Sequence, residues 1–441
     1  MVDLPAPSDL PAPTGRRWLA RLAFLTAAAA VILMLAGAGV RASIGLLLVA
    51  AAGMAVMLAA AWWFLTHRGW LRWVAAVVAV AAPVTVLIVY ARASLFWVVV
   101  VFALLWAGMV VAARAALRHS HHGGPVEYAT PPPARPFLIM NPKSGGGKVV
   151  RFDLEQRARK LGAQVYLLDG PNVDVAEVAR QAVRDGADLL GVAGGDGTQA
   201  LVAAVAAEAG LPFLVISAGT RNHFALDLGL DREDPSTCLE ALGNGVEIRA
   251  DLGRVGDRVF VNNASFGAYA AIVQSPAYRD DKAGVTLDLL PDLLTGHQGP
   301  VLRVQVGDDL AMMGPQAVLV SNNPYGLDDV AGLGRRYRLD GGDLGVLAVH
   351  VRGAADAASL VFGGRPGTIT RTAAKFVSID ADVERLPVGV DGEALLLPTP
   401  VRCSITPGAL RVRVPRDRPG VPPPPPELDW SRLRHLALTR R

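Results

Sequence analysis

The sequence has little cysteine and little charge. Only Cys238 and Cys403 occur among 441 residues. Two cysteines are too few for a disulfide framework or a cysteine zinc site, and they are typical of buried thiols in a reducing compartment. Charged residues make up 19% of the chain and the formal net charge is +4, so the basic surface of a nucleic-acid-binding protein is not expected. Hydrophobic residues instead reach 52%, with a mean hydropathy of +0.35, which predicts that part of the chain lies in a membrane.

Four long apolar segments near the start of the chain contain no Asp, Glu, Lys or His. They cover residues 22–39, 44–65, 70–90 and 95–113, and each approaches or exceeds the about 20 residues that cross the hydrocarbon core of a bilayer. Transport and proton relay normally need an ionisable group inside the membrane. The segments are therefore interpreted as four transmembrane helices of an anchor, within a membrane domain at residues 1–118.

Arginines flank the four segments unevenly. They gather before the first segment, between the second and third, and after the fourth, at Arg16, Arg17, Arg21, Arg68, Arg72, Arg114 and Arg118. By the positive-inside rule, the N-terminus, the middle loop and everything after the fourth segment are predicted to be cytoplasmic. The sequence thus predicts a multi-pass protein of the inner, cytoplasmic membrane.

The rest of the chain changes pattern after a Gly- and Pro-rich linker at 119–136, which holds His119, His121 and His122. Short apolar runs then alternate with helical ones, which predicts a parallel α/β domain at 137–245 whose ligand lies at the carboxyl ends of its strands. Irregular strand patterns over 246–414 predict a β-rich domain, a sandwich, with an amphipathic insert at 285–294. A Pro-rich basic tail at 415–441 suits either contact with an anionic leaflet or a disordered end.

Strands are expected at 137–141, 164–168, 188–193 and 212–217, with helices at 150–161, 173–185 and 198–209.

Three glycine-rich or small-residue loops directly follow predicted strands of the α/β domain. They read NPKSGGGK at 141–148, GGDGT at 194–198 and AGTRNHFA at 218–225. The first departs from the P-loop pattern at Pro142 and Val149, and the second lacks the acidic residue that a dinucleotide ribose needs at the end of the next strand. Together, at one edge of a sheet, the loops predict a phosphate site.

The order and spacing of these loops, with VDGE at 390–393, resemble the diacylglycerol kinase catalytic family. This family includes bacterial lipid kinases, sphingosine kinases and ceramide kinases. GGDGT is shared with NAD kinases, whereas the ordered set of motifs is specific. The resemblance spans residue 136 to about residue 414 and implies an α/β nucleotide domain and a β-rich domain, with ATP and a lipid alcohol meeting in a cleft.

The resemblance also implies roles for individual residues. Glu393 matches the general base that takes the proton from the lipid hydroxyl, whereas the local sequence without the resemblance favours a solvated strand residue after an Asp391-Gly392 hairpin turn. Asp196 is expected to organise the phosphates through Mg²⁺, with Asp251 and Asp340 as further metal ligands. The expected ATP site consists of Asn141, Ser144, Gly145, Gly146, Lys148, Gly194, Gly195, Gly197, Thr198, Thr220 and Asn222.

Two positions depart from the family pattern. His223 stands where the family has an acidic residue, and it could be cationic near the phosphates. Gly341 stands at the second acidic position of a metal-binding turn, which puts the site at Asp340 in doubt.

The expected function is that of a membrane-anchored, ATP-dependent lipid kinase. Its partners are a lipid alcohol, diacylglycerol-like by preference, and the membrane, with no nucleic acid. A catalytically inactive lipid-binding scaffold and an NAD-kinase-like phosphotransferase stay open as alternatives, as do the identity of the acceptor lipid and a homo-oligomeric state.

Overall fold

The structure is a computed structural model of the full chain. It describes residues 14–67, 69–92, 96–117, 125–170, 173–267, 270, 300–308, 310–326, 335–350, 368–421 and 429–438, and only the backbone of residues 14 and 37–43. The chain divides into two compact units, residues 1–122 with 424–441 and residues 123–423. The predicted insert at 285–294 and the three linker histidines lie outside the described residues.

The described elements are numbered in chain order. The helices are α1 (Thr14–Thr66), α2 (Trp70–Arg92), α3 (Phe96–Leu117), α4 (Lys148–Arg151), α5 (Leu154–Lys160), α6 (Val175–Arg184), α7 (Asp196–Glu208), α8 (His223–Asp227) and α9 (Trp430–Leu438), with short 3₁₀ segments at Ser144–Gly146 and Pro235–Leu242. The strands are β1 (Tyr128–Ala129), β2 (Pro136–Met140), β3 (Gln164–Leu167), β4 (Leu189–Ala193), β5 (Pro212–Ile216), β6 (Gly245–Val255), β7 (Arg258–Phe260), β8 (Asn263–Gly267), β9 (Arg303–Val306), β10 (Leu310–Met313), β11 (Ala317–Asn322), β12 (Leu344–Val349), β13 (Ile369–Ala374), β14 (Phe376–Asp380), β15 (Arg385–Val390), β16 (Glu393–Pro398) and β17 (Val401–Pro415).

The first unit contains four apolar stretches long enough to cross a membrane. They are Gly15–Ala36, Ile44–Thr66, Trp70–Arg92 and Phe96–Leu117, which confirms the four predicted segments and supports a membrane protein. The first two stretches are not separated by a loop, because α1 runs as one helix of 53 residues without an internal proline. Such a helix is about 80 Å long, so both stretches fit one bilayer of about 30 Å only if it bends between them.

Small residues bring the helices of the first unit close together. A Cβ on Gly53 would collide with the side chain of Val86, so glycine lets α2 approach α1. Elsewhere α1 and α3 pack through buried alanines, and α9 adds Leu433 and Leu436 to the same cluster. The alternative of a disordered end is therefore wrong for this part of the tail, because Leu433 and Leu436 pack against apolar side chains of α1 and α3.

The second unit contains the predicted parallel sheet. Its strands lie in the order β3, β2, β4, β5, and the loops between them carry helices α4 to α7. This confirms the α/β prediction. The helix expected at 150–161 is instead two helices, because Asp153 adopts the left-handed region at φ 54° and separates α4 from α5.

The β-rich part forms a sandwich, as predicted. A six-stranded antiparallel sheet has the order β13-β12-β11-β8-β15-β16. It shares one core with the larger sheet, in which Phe260 and Val377 meet Phe266 and Val320. Strand β17 pairs in parallel with β5 and antiparallel with β6 and β14. The parallel sheet therefore continues directly into strands of the β-rich part.

Candidate active site

Three loops meet at the carboxyl edge of the parallel sheet, as the sequence predicted. They follow β2, β4 and β5, which are neighbours in the sheet. A Cβ on Gly145 would collide with the carbonyl oxygen of Ala218, and one on Gly219 would lie 2.9 Å from the Cα of Gly195. Because no side chain fits at these approaches, glycine is required for the three loops to come together.

The first loop is shaped by its own backbone and by Asn141. The Asn141 side chain accepts a hydrogen bond from the backbone N–H of Lys143 at 3.0 Å. Ser144 begins a 3₁₀ turn, and Gly145 and Gly146 follow at φ 56° and 71°, in the left-handed region. This conformation turns successive backbone groups toward one side, which is how such loops accommodate phosphate.

Lys148 is predicted to contact phosphate, but in the structure its side chain connects two loops. Its ammonium group donates to the carbonyl oxygen of Ser217 at 3.5 Å and to that of Arg232. Burial, with the positive charges of Arg151 and Arg232, lowers the pKa of Lys148. Lys148 therefore lies between the first loop and the end of β5, where its ammonium group donates hydrogen bonds to backbone carbonyl oxygens.

The GGDGT loop opens helix α7. Gly195 is the N-cap, with φ −76° and ψ 168°, and no side chain caps this helix end. The first N–H groups of a helix have no partner within it, so those of Asp196, Gly197 and Thr198 are available to an anion. The Asp196 carboxylate lies 3.4 Å from the backbone N–H groups of both His223 and Phe224.

Gly194 lies behind the binding surface of this loop. Its carbonyl oxygen accepts a hydrogen bond at 3.0 Å from the buried side chain of Gln199. A Cβ on Gly194 would pack 3.4 Å from that of Thr198, whereas one on Gly195 would meet open space. Gly195 is therefore the glycine of the pair that faces the position of a ligand.

Asn222 organises the third loop. Its side chain accepts from the N–H of Gly219 at 2.8 Å and donates to the carbonyl oxygens of Ser217 and Gly219, both at 2.7 Å. The residue is buried and has a left-handed backbone, φ 51°. Its role in a nucleotide site is thus indirect, because it sets the conformation that leaves Thr220 exposed at the loop surface.

His223 does not supply a positive charge to the site at neutral pH. Burial lowers its pKa, against the carboxylates of Asp196 and Asp227 that raise it, and the charges of Arg221 and Arg232 lower it further. The usual histidine pKa is about 6.5. The lowered pKa disfavours the cationic imidazole near the phosphates that the sequence suggested.

Glu393 lies against the GGDGT loop. A Cβ on Gly197 would stand 2.5 Å from Oε1 of Glu393. The other carboxylate oxygen accepts from the guanidinium of Arg258 at 2.7 Å, with both side chains about two-fifths exposed. Asp391 and Gly392 do form a tight turn, at φ 47° and 86°. The Asp391-Gly392 turn places the Glu393 side chain against the N-terminal residues of α7.

Residues 135–255 match the family model described as the diacylglycerol kinase catalytic domain. This stretch is therefore similar to diacylglycerol kinase catalytic domains. The matched residues include all three loops and end before the hairpin that carries Glu393.

Relatives extend the likeness over both sheets. A Pseudomonas aeruginosa protein named "Probable lipid kinase YegS-like" is 28% identical over 305 residues, covering 66% of this chain and 98% of the relative. A diacylglycerol kinase of Bacillus subtilis is 34% identical over 139 residues, which are 30% of this chain and 46% of the relative. A solved Bacillus anthracis structure, assigned as a diacylglycerol kinase, aligns at 18% identity and TM-score 0.50, covering 65% of this chain and 98% of that structure. The last likeness shows the fold.

Two residues of the second unit that sequence reasoning missed hold the Glu393 hairpin. Arg258, on β7, pairs with the carboxylate, and no sequence motif marks it. Asp391 is partly buried at the turn, where it accepts backbone hydrogen bonds from Val261, Asn262 and Asn263 at 2.8 to 3.0 Å. Burial raises the pKa of Asp391 to about 7 in spite of these donors. The VDGE motif contains this aspartate, but only its neighbour Glu393 was assigned a role.

Asp391 makes the stability of the second unit depend on pH. Its pKa is about 7 when folded and about 3.9 in an unfolded chain, so its contribution to stability is complete below pH about 4. That contribution is lost as the pH rises to about 7. We expect Asp391→Asn to flatten this part of the pH profile, measured as the unfolding temperature of the detergent-solubilised chain. An unchanged slope in the variant would show that Asp391 is not the titrating group.

Asp251, predicted as a metal ligand, is a buried structural carboxylate. It accepts hydrogen bonds from the N–H groups of Gly342 and Gly408 at 2.6 and 2.7 Å and from the side chain of Asn323 at 2.8 Å. The Asp251 carboxylate accepts three hydrogen bonds and is only 1% exposed. It therefore connects two turns of the β-rich part.

Asp340 does not fit the predicted metal site either, since it pairs with the exposed Arg338 at 3.0 Å. Within the described part of the chain, no three His, Cys, Asp or Glu side chains group as a metal site. The Asp196 carboxylate, beside the first turn of α7, stays a predicted Mg²⁺ ligand, of the kind that binds the ion together with the phosphates of a nucleotide.

The structural role of Asp251 predicts a loss of stability rather than of metal binding. Asp251→Ala would leave three buried donors unpaired, and we expect it to lower the free energy of unfolding by about 3 kcal/mol or more. Asp340→Ala is the matched control, because an exposed ion pair contributes about 1 kcal/mol or less. Thermal unfolding with Mg²⁺ and with a chelator checks this. A destabilisation that appears only in the presence of Mg²⁺ would restore Asp251 as a ligand.

A buried ion pair joins the third loop to the β-rich part. Arg336 is fully buried and pairs with Asp227, at the end of α8, at 2.6 Å. It also donates to the carbonyl oxygen of Asn322 at 2.8 Å and to the side chain of Asn262 at 2.7 Å. Because Asn262 is one of the residues that bond Asp391, this network links the third loop to the hairpin of Glu393.

Proposed function

We propose that the protein is a membrane-anchored, ATP-dependent lipid kinase that transfers the γ-phosphate of ATP to the hydroxyl of a diacylglycerol-like lipid. The observation that carries the proposal is the contact between Glu393 and Gly197. It brings the residue that matches the family's general base to the first turn of α7, where unpaired N–H groups favour phosphate. A base and a phosphate site at one point are what phosphoryl transfer requires.

The phosphates of ATP would lie on the three loops. The N–H groups of the first turn of α7 and the left-handed glycines of the first loop would donate to phosphate oxygens. Asp196 would hold Mg²⁺ together with the phosphates, and this ion would neutralise part of their charge. Lys148 and Asn222 act on the backbone of the loops, as their hydrogen bonds show, so they shape the site rather than touch ATP.

Glu393 would remove the proton from the lipid hydroxyl. The hydroxyl oxygen then forms a bond to the γ-phosphorus, the bond from that phosphorus to the β-γ bridging oxygen breaks, and ADP leaves. The products are ADP and a lipid phosphate, with the proton on the Glu393 carboxylate before release to solvent. Arg258 orients that carboxylate through the 2.7 Å ion pair, which limits the rotamers from which it can accept a proton.

Membrane anchoring serves this reaction because a lipid alcohol stays in the bilayer. Tethering the catalytic domain raises its effective concentration at such a substrate. The arginine distribution supports the proposal that the N-terminus and the catalytic domain face the cytoplasm at the inner membrane, where ATP is present. A soluble substrate such as NAD would give no such reason for four apolar spans.

The acceptor is tested with defined lipids. The full chain in mixed micelles is given ATP labelled at the γ-phosphate, with one of diacylglycerol, a sphingoid base, phosphatidylglycerol, a polyprenol or NAD in each reaction. We expect label in the diacylglycerol product. Label in another lipid would change the acceptor and keep the kinase, label in NAD would favour the NAD-kinase-like alternative, and bound but untransferred ATP would favour the inactive scaffold.

A further inference from the structure

One end of the helical unit carries far more positive than negative charge. Six arginines come together there from the start of α1, the last turn of α3 and helix α9, while Asp429 is the one acidic residue within the described parts of this unit. We call these arginines the basic collar: Arg16, Arg17, Arg21, Arg114, Arg432 and Arg434.

Contacts between the helices fix the collar in place. Arg16 donates through Nε to the carbonyl oxygen of Ala116 at 2.9 Å, and Arg21 donates through Nε to that of Ala437 at 3.0 Å. Leu433 and Leu436 of α9 are buried among alanines of α1 and α3. Helices α1, α3 and α9 are therefore joined at the collar.

Two guanidinium groups of the collar have N–H groups that are buried without an acceptor. In the described residues, Nη2 of Arg16 and Nε of Arg17 have no hydrogen-bond partner. Leaving a charged donor unpaired away from water is costly. Arg432 is also close enough to Arg16 for their charges to repel. An anion with several acceptor oxygens would accept hydrogen bonds from the unpaired N–H groups. It would also offset the repulsion between Arg16 and Arg432.

The position of the collar indicates which anion. It lies where the apolar stretch Gly15–Ala36 begins and Phe96–Leu117 ends, the level at which lipid headgroups meet a membrane protein. Trp18 and Trp430 are exposed beside it, at 62% and 51%, as aromatic side chains are at membrane interfaces. Phosphate is the headgroup anion that guanidinium groups bind best, through paired N–H donors.

We propose that the basic collar binds the phosphate of an anionic phospholipid, and that Arg16 and Arg17 donate to it while α9 closes the site. The bound lipid would offset the repulsion between α1 and α9 and so stabilise their contact. This site is separate from the catalytic loops and does not depend on the kinase proposal.

The test uses the full chain purified in a non-ionic detergent, with phosphatidylglycerol as the probe and phosphatidylcholine as the uncharged comparison. Bound lipid is counted by native mass spectrometry. We expect phosphatidylglycerol to bind more tightly than phosphatidylcholine, and Arg16→Gln with Arg17→Gln to weaken its binding by about tenfold for each arginine. Arg92→Gln, a lone arginine at the end of α2, is the matched control and should bind as the wild type does.

Two further arms keep the outcome decisive. Arg16→Lys with Arg17→Lys retains both charges, and we expect it to restore part of the affinity, which a folding defect in the glutamine variant would not explain. Removing residues 429–441 should also weaken binding. The proposal is overturned if the glutamine variant binds phosphatidylglycerol as tightly as the wild type. It is equally overturned if inorganic phosphate displaces the lipid at equal concentration, which would show a site for free phosphate.

Discussion

Glu393→Gln will lower the turnover rate of lipid phosphorylation by about 10²- to 10⁴-fold, the usual contribution of a general base. The amide keeps the shape of the side chain and its place against Gly197, but it cannot accept a proton from the lipid hydroxyl. Because the carboxylate is not part of the phosphate-binding backbone, the affinity for ATP should change little. Turnover in mixed micelles and ATP binding by equilibrium dialysis measure the two effects separately.

The control for Glu393→Gln is the same substitution at the far end of α7. Glu208 is exposed and is the last residue of that helix, so Glu208→Gln should keep the wild-type rate. If Glu393→Gln retains more than about a tenth of the wild-type turnover, another group takes the proton and the assignment of the base is wrong.

Gly197→Ala will separate activity from stability. A Cβ at this position would stand 2.5 Å from the Glu393 carboxylate, so the side chain must move. A shift of about 1 Å in a catalytic group costs on the order of 10²-fold in rate. The fold itself should be no less stable, because alanine favours a helix more than glycine does. The combination of normal unfolding temperature and low turnover identifies a displaced catalytic group.

Gly243→Ala is the matched control for Gly197→Ala. A Cβ there meets nothing within 4 Å, and its φ of −103° is open to any residue. Wild-type turnover is expected. If Gly197→Ala turns over at the wild-type rate too, Glu393 does not need its place against the GGDGT loop, and the proposed geometry of transfer fails.

The sequence was informative where local chemistry decides the structure. Alternating apolar runs and glycine-rich loops predicted the parallel strands and their meeting point, because loops after neighbouring parallel strands must share an edge. Apolar length and the absence of internal acidic residues predicted the four spans. The Glu393 hairpin required the family resemblance, since nothing in the sequence near residue 393 shows that a distant loop lies beside it.

The rest depended on contacts between residues far apart in the chain. Asp251 looked like a metal ligand, and only the structure shows that Gly342, Gly408 and Asn323 occupy its oxygens. Lys148 looked like a phosphate contact and instead holds two carbonyl groups. Arg258 carries no motif at all. The sequence does not show whether the partner of a carboxylate or ammonium group is a ligand or a backbone group about 100 residues away.

The central claim is that ATP and a lipid hydroxyl react between the GGDGT loop and Glu393. The most direct measurement is transfer of label from the γ-phosphate of ATP to a total bacterial lipid extract, by the full chain in detergent, for the wild type and Glu393→Gln side by side. The account predicts one labelled lipid with the wild type and about a hundredth of that label or less with the variant. Equal labelling by both proteins, or no labelled lipid while ATP is bound, would contradict it.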